Sequence, residues 1–104
     1  MRRGECWRYQ LRAIPVGPVV IISAQYLIDD PAVEMLYGVP LVPDDPGGLT
    51  AIPVTIAGTS GWLNIARDIT RVYQGAMLEL LGALDPADLD RVDKAIYNTF
   101  GLPL

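Results

Sequence analysis

A chain of 104 residues has the length for one hydrophobic core without metals or disulfides, and its lack of histidine excludes Ser-His-Asp and Cys-His catalysis and the usual zinc sites. Apolar residues make up 51% and charged residues 19%, so more apolar surface is expected than one small core hides, and a homodimer follows as an expectation. A net charge of −4 excludes a uniformly basic nucleic-acid binder but leaves room for a local patch, because Arg2, Arg3, Arg8 and Arg12 gather at the N-terminus.

The first element is "ECWRYQL" (5–11), whose alternation places Trp7, Tyr9 and Leu11 on one side and Glu5, Arg8 and Gln10 mostly on the other, as in a half-buried strand. Its Cys6 is the chain's one cysteine, has no obvious base nearby, and reads as a buried structural thiol in a fold independent of oxidising conditions; a cytoplasmic setting fits. The uncharged run 13–28 is broken by Pro15, Gly17 and Pro18, too short and too interrupted to cross a bilayer. Glu5 and Arg8 upstream of it also argue against a secretory leader, so no membrane partner is expected. After the turn-rich "RAIPVGP", the β-branched "VVIIS" (19–23) suits a central strand covered on both faces.

Asp29-Asp30-Pro31 has turn chemistry and leads through "AVEM" into "LYGVPLV"; "PDDPGG" (43–48) is the clearest loop. "LTAIPVTIA" (49–57) reads as a strand that Pro53 places near an edge, followed by a turn at Gly58-Thr59-Ser60-Gly61. "WLNIARDITRVY" reads as one or two further strands, and "GAMLELLGAL" as a strand or turn-strand. The last element is marked most fully. Asp85 caps, Pro86 takes the first helical position, Asp88 the third, and Leu84 staples onto Leu89. Leu89, Val92, Ile96 and Phe100 form an apolar stripe, Asp90 and Lys94 pair outside it, and Gly101 ends the helix. The expected fold is mainly β (α+β), one domain over 1–104: a small, strongly bent antiparallel sheet or SH3-like barrel with a C-terminal helix.

Little chemistry is left. Asp29-Asp30 and Asp44-Asp45 each adjoin a proline and read as turn residues rather than a Mg²⁺ site, so neither metal nor cofactor is expected. RNA cleavage needs only an oriented 2′-hydroxyl and charge stabilisation, which Arg12 with Thr50 or Thr55 could supply.

Taken in order, these motifs resemble the toxins of bacterial toxin–antitoxin modules, the superfamily of CcdB gyrase poisons and MazF/PemK endoribonucleases. "RRGECW" is similar to the MazF/PemK opening, "PVVIIS" to its second strand, and "GVPLV" (38–42) to the Pro-Leu segment of both branches. "PVTIAGTSGWLNIARDITRV" (53–72) is more similar to CcdB, a resemblance that implies Trp62 lies inside the sheet and supplies core area, and "GALDPADLDRVDKAIYNTFGL" (82–102) fits the last turn and helix of either. The ribonuclease branch carries an arginine before the strand-two proline and a Thr or Ser after the Pro-Leu. Here those positions hold Gly17 and Val42, which offer neither charge nor hydroxyl. In CcdB a Trp-Gly-Ile tail binds gyrase, and this chain has Phe100-Gly101-Leu102 near its end. The resemblance therefore implies a toxin that works by protein binding. DNA gyrase is the expected target, with Phe100, Gly101 and Leu102 as the partner-binding residues and a small antitoxin peptide as a second partner. Its alternatives are an endoribonuclease on single-stranded RNA with a site moved to Arg12, or a non-toxic binding dimer.

Overall fold

The computed structural model describes residues 1–10 and 17–101. Seven strands form two antiparallel sheets: β1 (Glu5–Tyr9), β2 (Gly17–Ile21), β3 (Met35–Pro40), β6 (Thr70–Tyr73) and β7 (Met77–Ala83) in one, and β4 (Ala51–Ile56) with β5 (Thr59–Asn64) in the other. The larger sheet has the order β6-β3-β2-β1-β7, which puts β2 at its centre. Strand alternation then explains the apolar run of β2. Val20 and the adjoining Ile22 face a core shared with Cys6, Val39, the hairpin residues Ile52, Val54, Ile56 and Leu63, and Val92 of the C-terminal helix α3 (Pro86–Phe100). Val19 and Ile21 face the opposite side, with Leu36, Val72 and Ile28 of the one-turn helix α1 (Gln25–Ile28). Each such aliphatic side chain contributes about 1.5–3 kcal/mol on burial.

The helix α3 follows its sequence signals closely. Asp85 accepts from the Asp88 N–H at 2.7 Å, Gly101 closes the helix with φ 71°, and Lys94 pairs with Asp90 at 2.9 Å. Leu84 is buried beside Leu89, as a staple requires. The stripe is shorter than expected, however: Leu89, Val92 and Ile96 join the core, whereas Phe100 is 63% exposed. Asp88, the third helical residue, also reaches β4: its Oδ2 accepts the Thr55 N–H at 3.4 Å and its Oδ1 holds Arg91, which donates to the Pro53 carbonyl at 2.7 Å. Pro53 does sit on an edge strand, since β4 pairs only with β5.

Four expectations need correction. Glu5 lies on the Trp7 side of β1, where its Oε1 accepts from the Trp7 indole N–H at 3.4 Å, and Cys6 takes the buried opposite face. The 49–64 hairpin turns at Ala57-Gly58, with φ 50° and 80°, so Thr59 and Ser60 already pair with Ile56 and Thr55. Gly61 is then a strand residue kept small by contact: a Cβ there would lie 2.7 Å from Leu41 Cδ1 and 3.2 Å from the Val42 carbonyl oxygen. Trp62 belongs to neither core and is half-buried, its backbone exchanging two hydrogen bonds with Val42 (3.0 and 2.8 Å), while Leu63 fills the core instead. Finally, "WLNIARDITRVY" is not strand throughout. Asn64 caps a one-turn helix α2 (Ile65–Asp68) before β6 begins.

Candidate functional site

The residues singled out first by their chemistry turn out to be structural. Burial raises the Cys6 thiol from 9.0 to about 11, so it stays protonated near neutrality and is no nucleophile. Asp30 Oδ1 accepts the Ala32 N–H and Asp45 Oδ1 the Gly47 N–H, at 2.9 and 2.8 Å, which makes both acidic pairs turn elements. Among the described residues no group of three His, Cys, Asp or Glu side chains could hold a metal ion. No helix there is long and apolar enough to cross a membrane. Thr50 donates its hydroxyl to Asn64 Oδ1 at 2.8 Å, and Thr55 is an exposed β4 residue that lines neither cleft described below. Arg12 and Leu102 lie outside the described residues. The N-terminal arginines are largely committed: Arg3 pairs with Asp93 at 2.5 Å and donates to the Ile22 carbonyl, and Arg8 pairs with Glu79 at 3.0 Å.

Among the described residues two clefts stand out, and Ile69 lines both. The larger, about 820 Å³, runs between the β2–α1 connection and the end of α3. Leu27, Ile96, Tyr37, Tyr97 and Phe100 give it an apolar and aromatic wall, with the Arg3–Asp93 pair as its charged element. Phe100 therefore does border a cleft, although Gly101 acts as an ordinary helix terminator.

The smaller cleft, about 520 Å³, opens across one end of the large sheet. Strand order accounts for its composition. β2 lies beside β3 and β3 beside β6, so Gly17 and Pro18 at the start of β2 share a wall with Pro40 at the end of β3 and with Thr70 and Arg71 at the start of β6. Tyr9, opposite Gly17 in the β1–β2 pairing, closes one side. Arg67 and Asp68 at the end of α2 close the other. The Arg67 Nε and Nη2 donate to the two Asp68 carboxylate oxygens at 3.0 and 3.3 Å, and Nη1 donates to the Pro46 carbonyl at 3.4 Å. The hydrogen bond to Asp68 and its charge hold the Arg67 guanidinium above its usual range.

Asn64 sets this end of the cleft. It is buried, its Oδ1 accepts both the Arg67 N–H (3.2 Å) and the Thr50 hydroxyl, and its Nδ2 donates to the Gly47 carbonyl at 3.2 Å. One side chain thus ties the 43–48 loop, β5 and α2 together.

No family model matches the chain. Solved structures do. An endoribonuclease in complex with its cognate antitoxin from Mycobacterial species superposes with a TM-score of 0.82 at 22% identity, over 100% of this chain and 96% of that one. The chain has the fold of these toxins. An endoribonuclease from Mycobacterial species gives 0.79 at 21% identity, over 100% and 94% of the two chains. The Mycobacterium tuberculosis toxin MazF-mt6 gives 0.77 at 17% identity, over 96% and 99%. Identities this low carry the MazF-type fold and leave the chemistry to the residues. Of the two positions where the sequence departs from the ribonuclease pattern, Gly17 lines the smaller cleft, while Val42 is held in the bridge to Trp62. Arg67 and Arg71, which the sequence reading passed over, are the cations of that cleft. Their one sequence signal was a pair of arginines four apart, with Asn64 just ahead as a cap.

Proposed function

We propose that this protein is the toxin of a type II toxin–antitoxin module, active in the cytoplasm, and that it acts on single-stranded RNA in the smaller cleft. One observation carries the reading: in a chain of net charge −4, the cleft at Gly17 and Pro18 is flanked by two arginines and an aromatic ring. Arginine grips phosphates and an aromatic side chain stacks an unpaired base. The likeness in fold to endoribonucleases, one of them held by an antitoxin, adds to it. Cleavage would have the 2′-oxygen attack the adjacent phosphorus while its proton passes to water; the P–O5′ bond breaks and the 5′-oxygen takes a proton from water. The products are a 2′,3′-cyclic phosphate and a 5′-hydroxyl. The protein's part is to hold the strand bent in line and to neutralise the phosphorane.

With neither charge at Gly17 nor a hydroxyl at Val42, turnover is expected to be slow but site-selective. Incubating the protein with a long single-stranded RNA and mapping the ends is expected to show discrete cuts with cyclic-phosphate termini. Intact RNA at high protein concentration would overturn the reading. A second reading, gyrase binding through the tail, is favoured by the exposure of Phe100 at the mouth of the larger cleft. It requires linear DNA from supercoiled plasmid, gyrase and ATP, with less of it for Phe100→Ala.

We also infer that a second copy of the chain covers the larger cleft, because Tyr37 (50% exposed), Tyr97 (41%) and Phe100 leave aromatic area in water there. Sedimentation equilibrium is expected to give twice the chain mass, and Tyr97→Lys to halve it. A monomer at all concentrations would remove the inference.

A further inference from the structure

We propose that Arg71 supplies the phosphate-binding cation that Gly17 does not, and that Asp68, by holding Arg67, limits how tightly the smaller cleft grips single-stranded RNA. The inference rests on reading this cleft as an RNA site.

The charge distribution leads to it. Among the described residues, Arg3, Arg8, Arg67, Arg91 and Lys94 are all ion-paired, to Asp93, Glu79, Asp68, Asp88 and Asp90. Arg71 has no ion-pair partner among them and is exposed. It sits on β6, an edge strand that pairs with β3 alone, so no neighbouring strand hinders an approach from outside. Arg67 is differently placed. Its three engaged nitrogens face Asp68 and the Pro46 carbonyl, and the pair with Asp68 contributes no net charge. The positive charge of the cleft therefore comes from Arg71, with Arg67 as a second cation masked by its neighbour.

The floor favours an unpaired strand. Tyr9, Pro18 and Pro40 add apolar and aromatic lining to the same cleft, suited to a base turned out of a stack and unsuited to a duplex that shows only phosphate and ribose. Phosphate contacts on the Arg67 and Arg71 side and a base against the Tyr9 ring on the opposite side match the chemistry of a short single-stranded segment.

The test is fluorescence anisotropy with a short single-stranded oligonucleotide whose riboses are 2′-O-methylated and therefore resist cleavage, titrated over a range of salt. Arg71→Ala is expected to weaken binding about tenfold and to lower the slope of log affinity against log salt by roughly 0.7, the value for one lost phosphate contact on a single strand. Arg71→Lys is expected to restore most of both. Asp68→Asn, which frees Arg67, is expected to tighten binding about threefold and to steepen the slope. A substitution that only loosened the fold would lower affinity in both variants and could not produce this opposite sign. The proposal is overturned if the wild-type protein does not bind the oligonucleotide at low salt, if Arg71→Ala leaves affinity and slope unchanged, or if Asp68→Asn weakens binding. A DNA oligonucleotide that binds as tightly as the RNA also overturns the assignment to RNA. Failure of the ribonuclease reading looks different: RNA remains intact in the cleavage assay while Arg71-dependent binding persists.

Discussion

Gly82→Ala is expected to destabilise the protein by about 3 kcal/mol. Gly82 lies in β7 with φ 156°, in the region that L side chains rarely adopt. A Cβ there would lie 2.8 Å from Ile56 Cγ2, 3.1 Å from Ala57 Cβ and 3.4 Å from the Ala57 nitrogen. Neither neighbour can yield easily. Ile56 is 4% exposed within the main core, and Ala57 is itself at φ 50° in the hairpin turn. Overpacking costs about 1–3 kcal/mol and the backbone conformation about as much again, less whatever the hairpin recovers by shifting away from β7. For a domain of this size that corresponds to a fall in Tm of about 12–20 °C. Gly75→Ala is the control, because a Cβ there meets nothing within 4 Å and φ is not positive. Thermal unfolding followed by circular dichroism checks both. A Gly82→Ala variant that melts within about 2 °C of wild type would mean that the hairpin is not pressed against β7.

This contact also shows why the sequence was legible in some places and not in others. α3 is written in local chemistry: Asp85, Pro86, Asp88 and Gly101 each act within a turn of where they stand, so the helix follows from those residues without knowledge of the rest. β2 is legible for a related reason, since a β-branched run buried on both faces needs no partner to be identified as central. The hairpin turn was misplaced because its decisive residue is an alanine at positive φ. That conformation is required by the two-residue hairpin turn, whose central residues both take positive φ, and is not preferred by alanine itself. The one-turn helices α1 and α2 are too short to have periodicity, and only the Asn64 cap marked the second. Trp62 illustrates the register problem. The neighbouring Leu63 took the core face, and one position along a strand decides which.

The smaller cleft was illegible for a stronger reason. Its walls come from residues 9, 17–19, 40 and 67–72, and nothing in the chain order announces that β6 will lie beside β3 and β3 beside β2. The resemblance marked Gly17, where the ribonuclease branch carries an arginine, and offered Arg12 as a replacement; Gly17 lines the smaller cleft, and Arg12 lies outside the described residues. Arg71 comes to line the same cleft because β6 lies beside β3 and β3 beside β2.

Asn64→Ala is expected to lower stability by about 2–3 kcal/mol, and Tm by about 8–20 °C, and to alter the smaller cleft without touching it. Three partners lose their bonds at once: the Thr50 hydroxyl, the Arg67 N–H and the Gly47 carbonyl. Asn64 is only 4% exposed, so water does not easily replace the amide, and the cost exceeds that of a surface cap. Asn64→Asp separates the contributions. Its carboxylate still caps Arg67 and accepts from Thr50 but has no N–H for the Gly47 carbonyl, so it should fall between wild type and alanine. The consequence for function comes through α2. With its first turn uncapped, Arg67 and Asp68 lose the backbone that sets their pairing, while Arg71 on β6 keeps its place. Hydrogen exchange checks this directly: the Arg67 amide is expected to be protected in the wild-type protein and to exchange far faster in Asn64→Ala, with the amide of Val72, in the middle of β6, unchanged. If the Arg67 and Val72 amides accelerate together, Asn64 holds the whole sheet rather than this corner, and the cleft has no support of its own.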